Sequence, residues 1–127
     1  MSGRVVHFEI PHDDGDRARR FYADAFGWQV QTMPGMGYTL VMTGPSGDQG
    51  PTEPGFINGG MLARGDSATS GPILVVEVDG IDEAIARIGE LGGSTVRGKE
   101  PVGDMGWAAY VTDPEGNVIG LWETARA

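Results

Sequence analysis

The sequence predicts an α+β fold made of two β-α-β-β-β modules in tandem, and three observations predict it. Short runs alternate apolar and polar residues as half-buried strands do. One stretch in each half repeats apolar residues at helical spacing and ends at glycine. The two halves also carry these elements in the same order at the same intervals, twenty residues from His7 to Gly27 and twenty from Ile73 to Gly93.

The first strand is RVVHFEI, Arg4 to Ile10, in which Val6, Phe8 and Ile10 point to one face and Val5, His7 and Glu9 to the other. PHDDGD then supplies turn formers and helix N-cap candidates, and Ala18, Phe21, Tyr22, Ala25 and Phe26 predict an apolar helical stripe that Gly27 stops. In the second half PILVVEV is the strand, and the helix DGIDEAIARIGELGG carries Ile81, Ala84, Ile85, Ile88 and Leu91 in its stripe, with Gly92 and Gly93 at its end. Tyr38 to Thr43 answers Trp107 to Thr112, Ile57 to Leu62 answers Asn117 to Trp122, and the strand between Trp28 and Met33 answers the one near Ser94 to Arg97. The segments GPSGDQGPTEPG and ARGDSATSGP read as loops, because Gly, Pro and Ser punctuate rather than continue regular structure. Residues 44–56 and 98–106, rich in Gly and Pro, are read as loops. Neither half would bury both faces of a four-stranded sheet by itself, so residues 1–127 are read as a single domain with modules at 1–66 and 72–127.

Composition narrows the functional classes. A net charge of −9 and a pI near 4.4 disfavour nucleic acid, whose phosphates call for clustered Lys and Arg, and favour neutral or cationic small molecules. The absence of cysteine excludes disulfides, thiolate metal sites and cysteine nucleophiles together. MSGRVVHFEIPHDD lacks the apolar run of a signal peptide and no segment approaches a membrane span, so a cytoplasmic location without membrane partners is expected.

With the repeat, the HFEIP…FYADAFGW opening and the DPEGN turn before the last strand, the chain resembles the vicinal oxygen chelate superfamily, which includes glyoxalase I, extradiol dioxygenases and bleomycin-resistance proteins. The resemblance implies two modules whose sheets curl around a cavity with the helices outside. It also implies a homodimer and, in metal-dependent members, four ligands taken from the first and last strands of each module. Carried over, those positions fall on His7, Gly60, Ile73 and Gly120, and only His7 is a competent ligand. Glu9 and Glu77 share the inward face but sit further along their strands, while Glu123 is an odd number of residues from Gly120 and should turn the other way. No metal or other cofactor is therefore expected.

Glycine inside a strand needs a reason, and Gly60 and Gly120 admit two. Either they replace inward carboxylates and open volume for a bulkier ligand, or they mark bulges or close packing. His7 is either a hydrogen-bonded structural residue or, with Glu9, an acid–base pair. Tyr38, Met42, Trp107 and Trp122 are placed on inward faces as an aromatic, apolar ligand lining beside Gly60, Ile73 and Gly120, the alternative being plain core. Trp28 is read as core or interface, and DPEGN as a turn rather than a catalytic Asp-Glu pair. Two functional classes follow: a metal-free small-molecule binding protein, or an enzyme. The enzyme would be a metal-dependent lyase, isomerase or dioxygenase, or a metal-free catalyst using His7 and Glu9.

Overall fold

The computed structural model describes residues 3–35 and 37–126. The chain divides into two compact units, one spanning His7–Pro72 and the other joining the chain up to Val6 with the chain from Ile73 onward. These are called the first and second modules below.

In the first module β1 (Val5–His12) runs parallel to β6 (Asn58–Ala63), which pairs antiparallel with β3 (Tyr38–Met42), which pairs with β2 (Gln29–Met33), giving the order β2-β3-β6-β1. A two-residue hairpin, β4 (Ser46–Gly47) and β5 (Gly50–Pro51), interrupts the loop between β3 and β6. Helix α1 (Gly15–Phe26) starts where the Asp14 side chain accepts the Arg17 N–H at 3.1 Å. It ends at Gly27, whose φ of 73° places its N–H 2.9 Å from the Ala23 carbonyl. Phe8, Tyr22 and Trp28 stack between sheet and helix, with Tyr22 and Trp28 rings 5.0 Å apart, and Thr39, Val41 and Met61 are fully enclosed on the same side. Trp28 is half-buried in this aromatic cluster.

The expected stripe on α1 is only half right. Ala18 and Tyr22 face the sheet with Arg19 and Ala23, but Phe21, Ala25 and Phe26 are exposed, and no residue of the helix is fully buried. The sheet-facing side is set by what fits beneath the helix. Arg19 reaches Thr39 Oγ1 at 3.4 Å across it, and the apolar residues one step round the helix are left outside.

In the second module β7 (Ile73–Glu77) runs parallel to β10 (Val118–Thr124), followed by antiparallel β9 (Gly106–Thr112) and β8 (Ser94–Val102). The Glu77 N–H donates to the Arg4 carbonyl at 2.9 Å, which ties the start of the chain into this unit. Here four of the five expected stripe residues hold, since α2 (Ile81–Glu90) packs Ile81, Ala84, Ile85 and Ile88 with Ala109, Val111 and Leu121, while Leu91 falls at the C-cap and is exposed. Each large aliphatic side chain buried there is worth about 2 kcal/mol. Strand β8 runs to Val102, with register shifts between Thr95 and Arg97 and between Arg97 and Glu100, so residues 98–102 are strand rather than the loop expected.

The two parallel pairings keep the same register. Gly60 lies opposite Glu9 and Gly120 opposite Val75, which preserves the equivalence read from the spacing of His7 and Ile73. The third strands do not match as aligned from sequence. Gly60 faces Leu40 and Gly120 faces Tyr110, so Tyr38 corresponds to Ala108 and not to Trp107. DPEGN is a turn, with Asp113 accepting N–H bonds from Glu115 and Asn117 at 2.9 Å and Gly116 at φ 84°. These bonds, the Asn117 side chain foremost, hold the Asp113 carboxyl below the usual range. The architecture is α+β, as the sequence predicts.

Gly80, the N-cap of α2, has no side chain to satisfy the helix start, and Glu123 from β10 does so instead, Oε1 accepting the Ile81 N–H at 2.8 Å with Lys99 Nζ 3.6 Å away. Glu123→Ala is expected to lower the unfolding free energy by about 1 to 2 kcal/mol, the usual worth of a cap, read as a shifted urea midpoint with unchanged slope.

Candidate functional site

Strand alternation puts His7 and Glu9 of β1, Tyr38, Leu40 and Met42 of β3, and Gly60 of β6 on the sheet face turned away from α1. Three of them form one hydrogen-bonded chain. Tyr38 Oη donates to Glu9 Oε2 at 3.2 Å, and His7 Nε2 lies 2.7 Å from the same Oη. A phenol has one proton, so with that proton donated in a hydrogen bond to Glu9 the imidazole carries its own at Nε2 and donates it to Tyr38. The order is His7 N–H to Tyr38 O–H to the Glu9 carboxylate, and Nδ1 of His7 is left as an acceptor. Glu9 is only 7% exposed. Burial pushes the His7 pKa down to about 4, so the ring is neutral at physiological pH and its Nδ1 can accept a hydrogen bond from a polar ligand atom.

Gly60 makes the chain possible. A Cβ built there would overlap the Tyr38 hydroxyl and ring, so the tyrosine occupies the space a side chain at 60 would fill. Of the two readings of this glycine, close packing is the one observed. Gly120 behaves similarly in the second module, where a Cβ would stand 3.0 Å from Val75, 3.4 Å from the Tyr110 ring and 3.6 Å from Ile73.

The sequence-derived set is distributed unevenly. His7, Glu9, Tyr38 and Gly60 are brought together, and Met42 shares their face, half-buried. Ile73 and Gly120 meet in the second module, Ile73 being 1% exposed. Trp122 shares the Gly120 face and donates from Nε1 to Thr124 Oγ1 at 3.0 Å. Trp107 is the exception, since it packs against the Ile81, Ala109, Val111 and Leu121 core on the α2 side, with Lys99 Nζ 5.0 Å over its ring. The alignment that equated it with Tyr38 was one residue out, and a one-residue slip turns every side chain of a strand over. Tyr110, with the Arg97 guanidinium 5.9 Å from its ring centre, takes the inward aromatic place and was not singled out from sequence. Its pairing with Gly120 in the strand register is the signal that would have found it.

A metal of the kind the resemblance implies does not fit these residues. Among the described residues no three His, Asp or Glu side chains gather as a ligand set. His7 Nε2 is committed to Tyr38, whose ring stands where a carboxylate at position 60 would project, and Gly120 is surrounded by Val75, Tyr110 and Ile73. Glu9 offers one carboxylate already bonded to the phenol.

Comparison with known proteins agrees with this fold. A family model described as bleomycin resistance protein-like N-terminal matches residues 4–44. Putative glyoxylase CFP32 of Mycobacterium bovis and of Mycobacterium tuberculosis is 28% identical over 126 residues, 93% of this chain and 44% of the relative, so the chain spans a little under half the length of those curated relatives. Among solved structures, methylmalonyl-CoA epimerase in complex with methylmalonyl-CoA and NH4+ superposes with TM-score 0.66 at 19% identity over 98% of this chain and 96% of the other. A single-site variant of the Streptomyces coelicolor epimerase with 2-nitronate-propionyl-CoA gives TM-score 0.66 and 19% over 100% and 98%. Identities this low carry the fold alone.

Gly60→Ala should cost about 3 kcal/mol through overpacking, and far less in a Tyr38→Ala background where the clash partner is gone. A denaturation double-mutant cycle reads the difference, and equal costs in both backgrounds would remove the packing argument. For His7 the folded pKa of about 4 lies below the model value of 6.5, so the unfolded chain binds more protons between the two. The stability of the neutral buried ring is complete above about pH 6.5 and is lost as pH falls towards 4, by about 3 kcal/mol in all. Unfolding free energies of the wild type minus those of His7→Gln should fall across that window and stay level above it.

Proposed function

We propose that this chain, a member of the vicinal oxygen chelate superfamily, is a small-molecule binding protein of the glyoxalase and bleomycin-resistance type that works without a resident metal. The His7–Tyr38–Glu9 chain carries this reading. It is a fixed polar anchor on a face that also carries Leu40, Met42, Leu62, Pro11 and Asn58, the mixture of few oriented polar groups and apolar surface that small-molecule sites use. His7 Nδ1 offers an acceptor and the Glu9 carboxylate a negative charge. With a net charge of −9 this favours a neutral or cationic ligand bearing a donor over an anionic one. The solved epimerases hold CoA esters, whose phosphates a strongly acidic chain disfavours, so these serve as the contrasting probe. The same reading places the protein in the cytoplasm as a homodimer, with neither nucleic acid nor membrane as partner. Among the described residues no helix is long and apolar enough to cross a bilayer.

A second reading rests on the same atoms. A neutral imidazole joined through a phenol to a carboxylate is a proton relay, and it would serve an enzyme that removes or returns a proton beside His7. It requires no metal ligand beyond the residues present. Tyr38→Phe keeps the ring over Gly60 and breaks the relay, so it separates anchoring from packing.

A thermal-shift panel of cationic aromatic compounds, bleomycin-type antibiotics and CoA thioesters should find stabilisation among the cationic or neutral members. His7→Gln and Tyr38→Phe should weaken the hit about tenfold, about 1.4 kcal/mol. No stabilisation across the panel would end the binding reading, and turnover of the hit that Tyr38→Phe abolishes would favour the enzyme. Elemental analysis of tag-free protein after incubation with nickel, zinc, manganese or ferrous iron should return no stoichiometric metal. About one tightly held ion per chain would overturn the metal-free assignment.

A further inference from the structure

The outward side of α1 carries more apolar surface and more unpaired charge than a solvated helix needs. Phe21 is 57% and Phe26 61% exposed, whereas the apolar side of α2 is packed into its core. Arg17, Arg20, Phe21 and Asp24 stand at i, i+3, i+4 and i+7, on one stripe of the helix. With Ala25 they line an open hollow of about 440 Å³. Arg19 is paired with Asp16 at 2.7 Å, but the side chains of Arg17, Arg20 and Asp24 make no ion pair or hydrogen bond among the described residues. In a chain with twice as many acids as bases, two arginines without a carboxylate beside an exposed phenylalanine call for a partner.

The arrangement is self-complementary. The midpoint between Arg17 and Asp24 falls between Arg20 and Phe21, so turning the helix end for end about that point exchanges Arg17 with Asp24 and sets Arg20 against Phe21. We propose that α1 is the docking surface for a second copy of this chain, two α1 helices packing antiparallel across a twofold axis between Arg20 and Phe21, with Arg17 of each copy facing Asp24 of the other and Arg20 facing the other's Phe21. This is the pattern an isologous contact requires, in which one patch is its own complement. A parallel arrangement sets Arg17 against Arg17, and a uniformly anionic partner meets Asp24 and Asp16, so the charges select this occupant and this orientation. The contact gives a surface to the homodimer of the proposed function and rests on that part of it, but not on ligand binding at His7. One helix pair is a small interface, which sets the expected association in the micromolar range.

Charge exchange tests it. Sedimentation velocity from micromolar to millimolar protein should show a concentration-dependent dimer for the wild type. Arg17→Asp and Asp24→Arg should each weaken it at least tenfold with unchanged circular dichroism, because each sets like charges together twice. Mixing the two variants should restore it, since every 17–24 contact in the mixed pair is again between opposite charges, and native mass spectrometry identifies the mixed species. A wild type that stays monomeric sinks both the dimer and this surface. A dimer indifferent to either substitution, or singles that weaken it without rescue on mixing, sinks the surface alone.

Discussion

The first module is organised around a tyrosine lying on a glycine. Tyr38 can reach both His7 Nε2 and Glu9 Oε2 only because β6 presents no side chain at position 60, and the register that sets Gly60 opposite Glu9 brings all three polar groups to one place. Glu9, buried to 7% exposure, would be costly without such a donor. The glycine, the phenol and the buried acid are therefore mutually dependent, and a change at any of them is felt by the others before it reaches a ligand.

Much of this was legible in the sequence, for reasons of periodicity. Strand alternation in RVVHFEI set His7 and Glu9 on one face, the twenty-residue interval fixed the correspondence of the modules, and Gly27 and DPEGN marked their ends through backbone requirements that few residues meet. What failed did so where one residue of offset decides the result. Aligning Tyr38 with Trp107 turned a strand over, because WAAYVT is apolar on both faces and its pattern does not choose between them. On α1 the apolar residues cover more than half the circumference, so spacing alone left the sheet-facing side open, and Arg19 bonding to Thr39 helps settle it.

The candidate site was legible as a list and not as a circuit. His7, Glu9 and Tyr38 were all named, but the bond from the phenol to both partners spans β1 and β3, and no local pattern reports a contact between residues some thirty positions apart. The glycines illustrate the same limit. Their positions were exact from the repeat, yet whether the space above them is empty or filled depends on a tyrosine from another strand in the first module and on valine, isoleucine and tyrosine in the second. In both modules the glycine of the last strand is a place where neighbouring side chains pack against bare backbone.

The bond from Glu77 to the carbonyl of Arg4 bears on how the chain is made. Arg4 to Val6 are translated before the first module, yet the unit they complete contains Ile73 onward and is translated after it. The start of β1 is a nascent edge with its hydrogen-bonding groups unanswered until β7 has been synthesised, while the rest of the same strand can already pair with β6. Synthesis thus imposes a delay on one end of a strand and not on the other, and the exposed Val5 with its charged neighbour Arg4 is what the waiting end presents meanwhile.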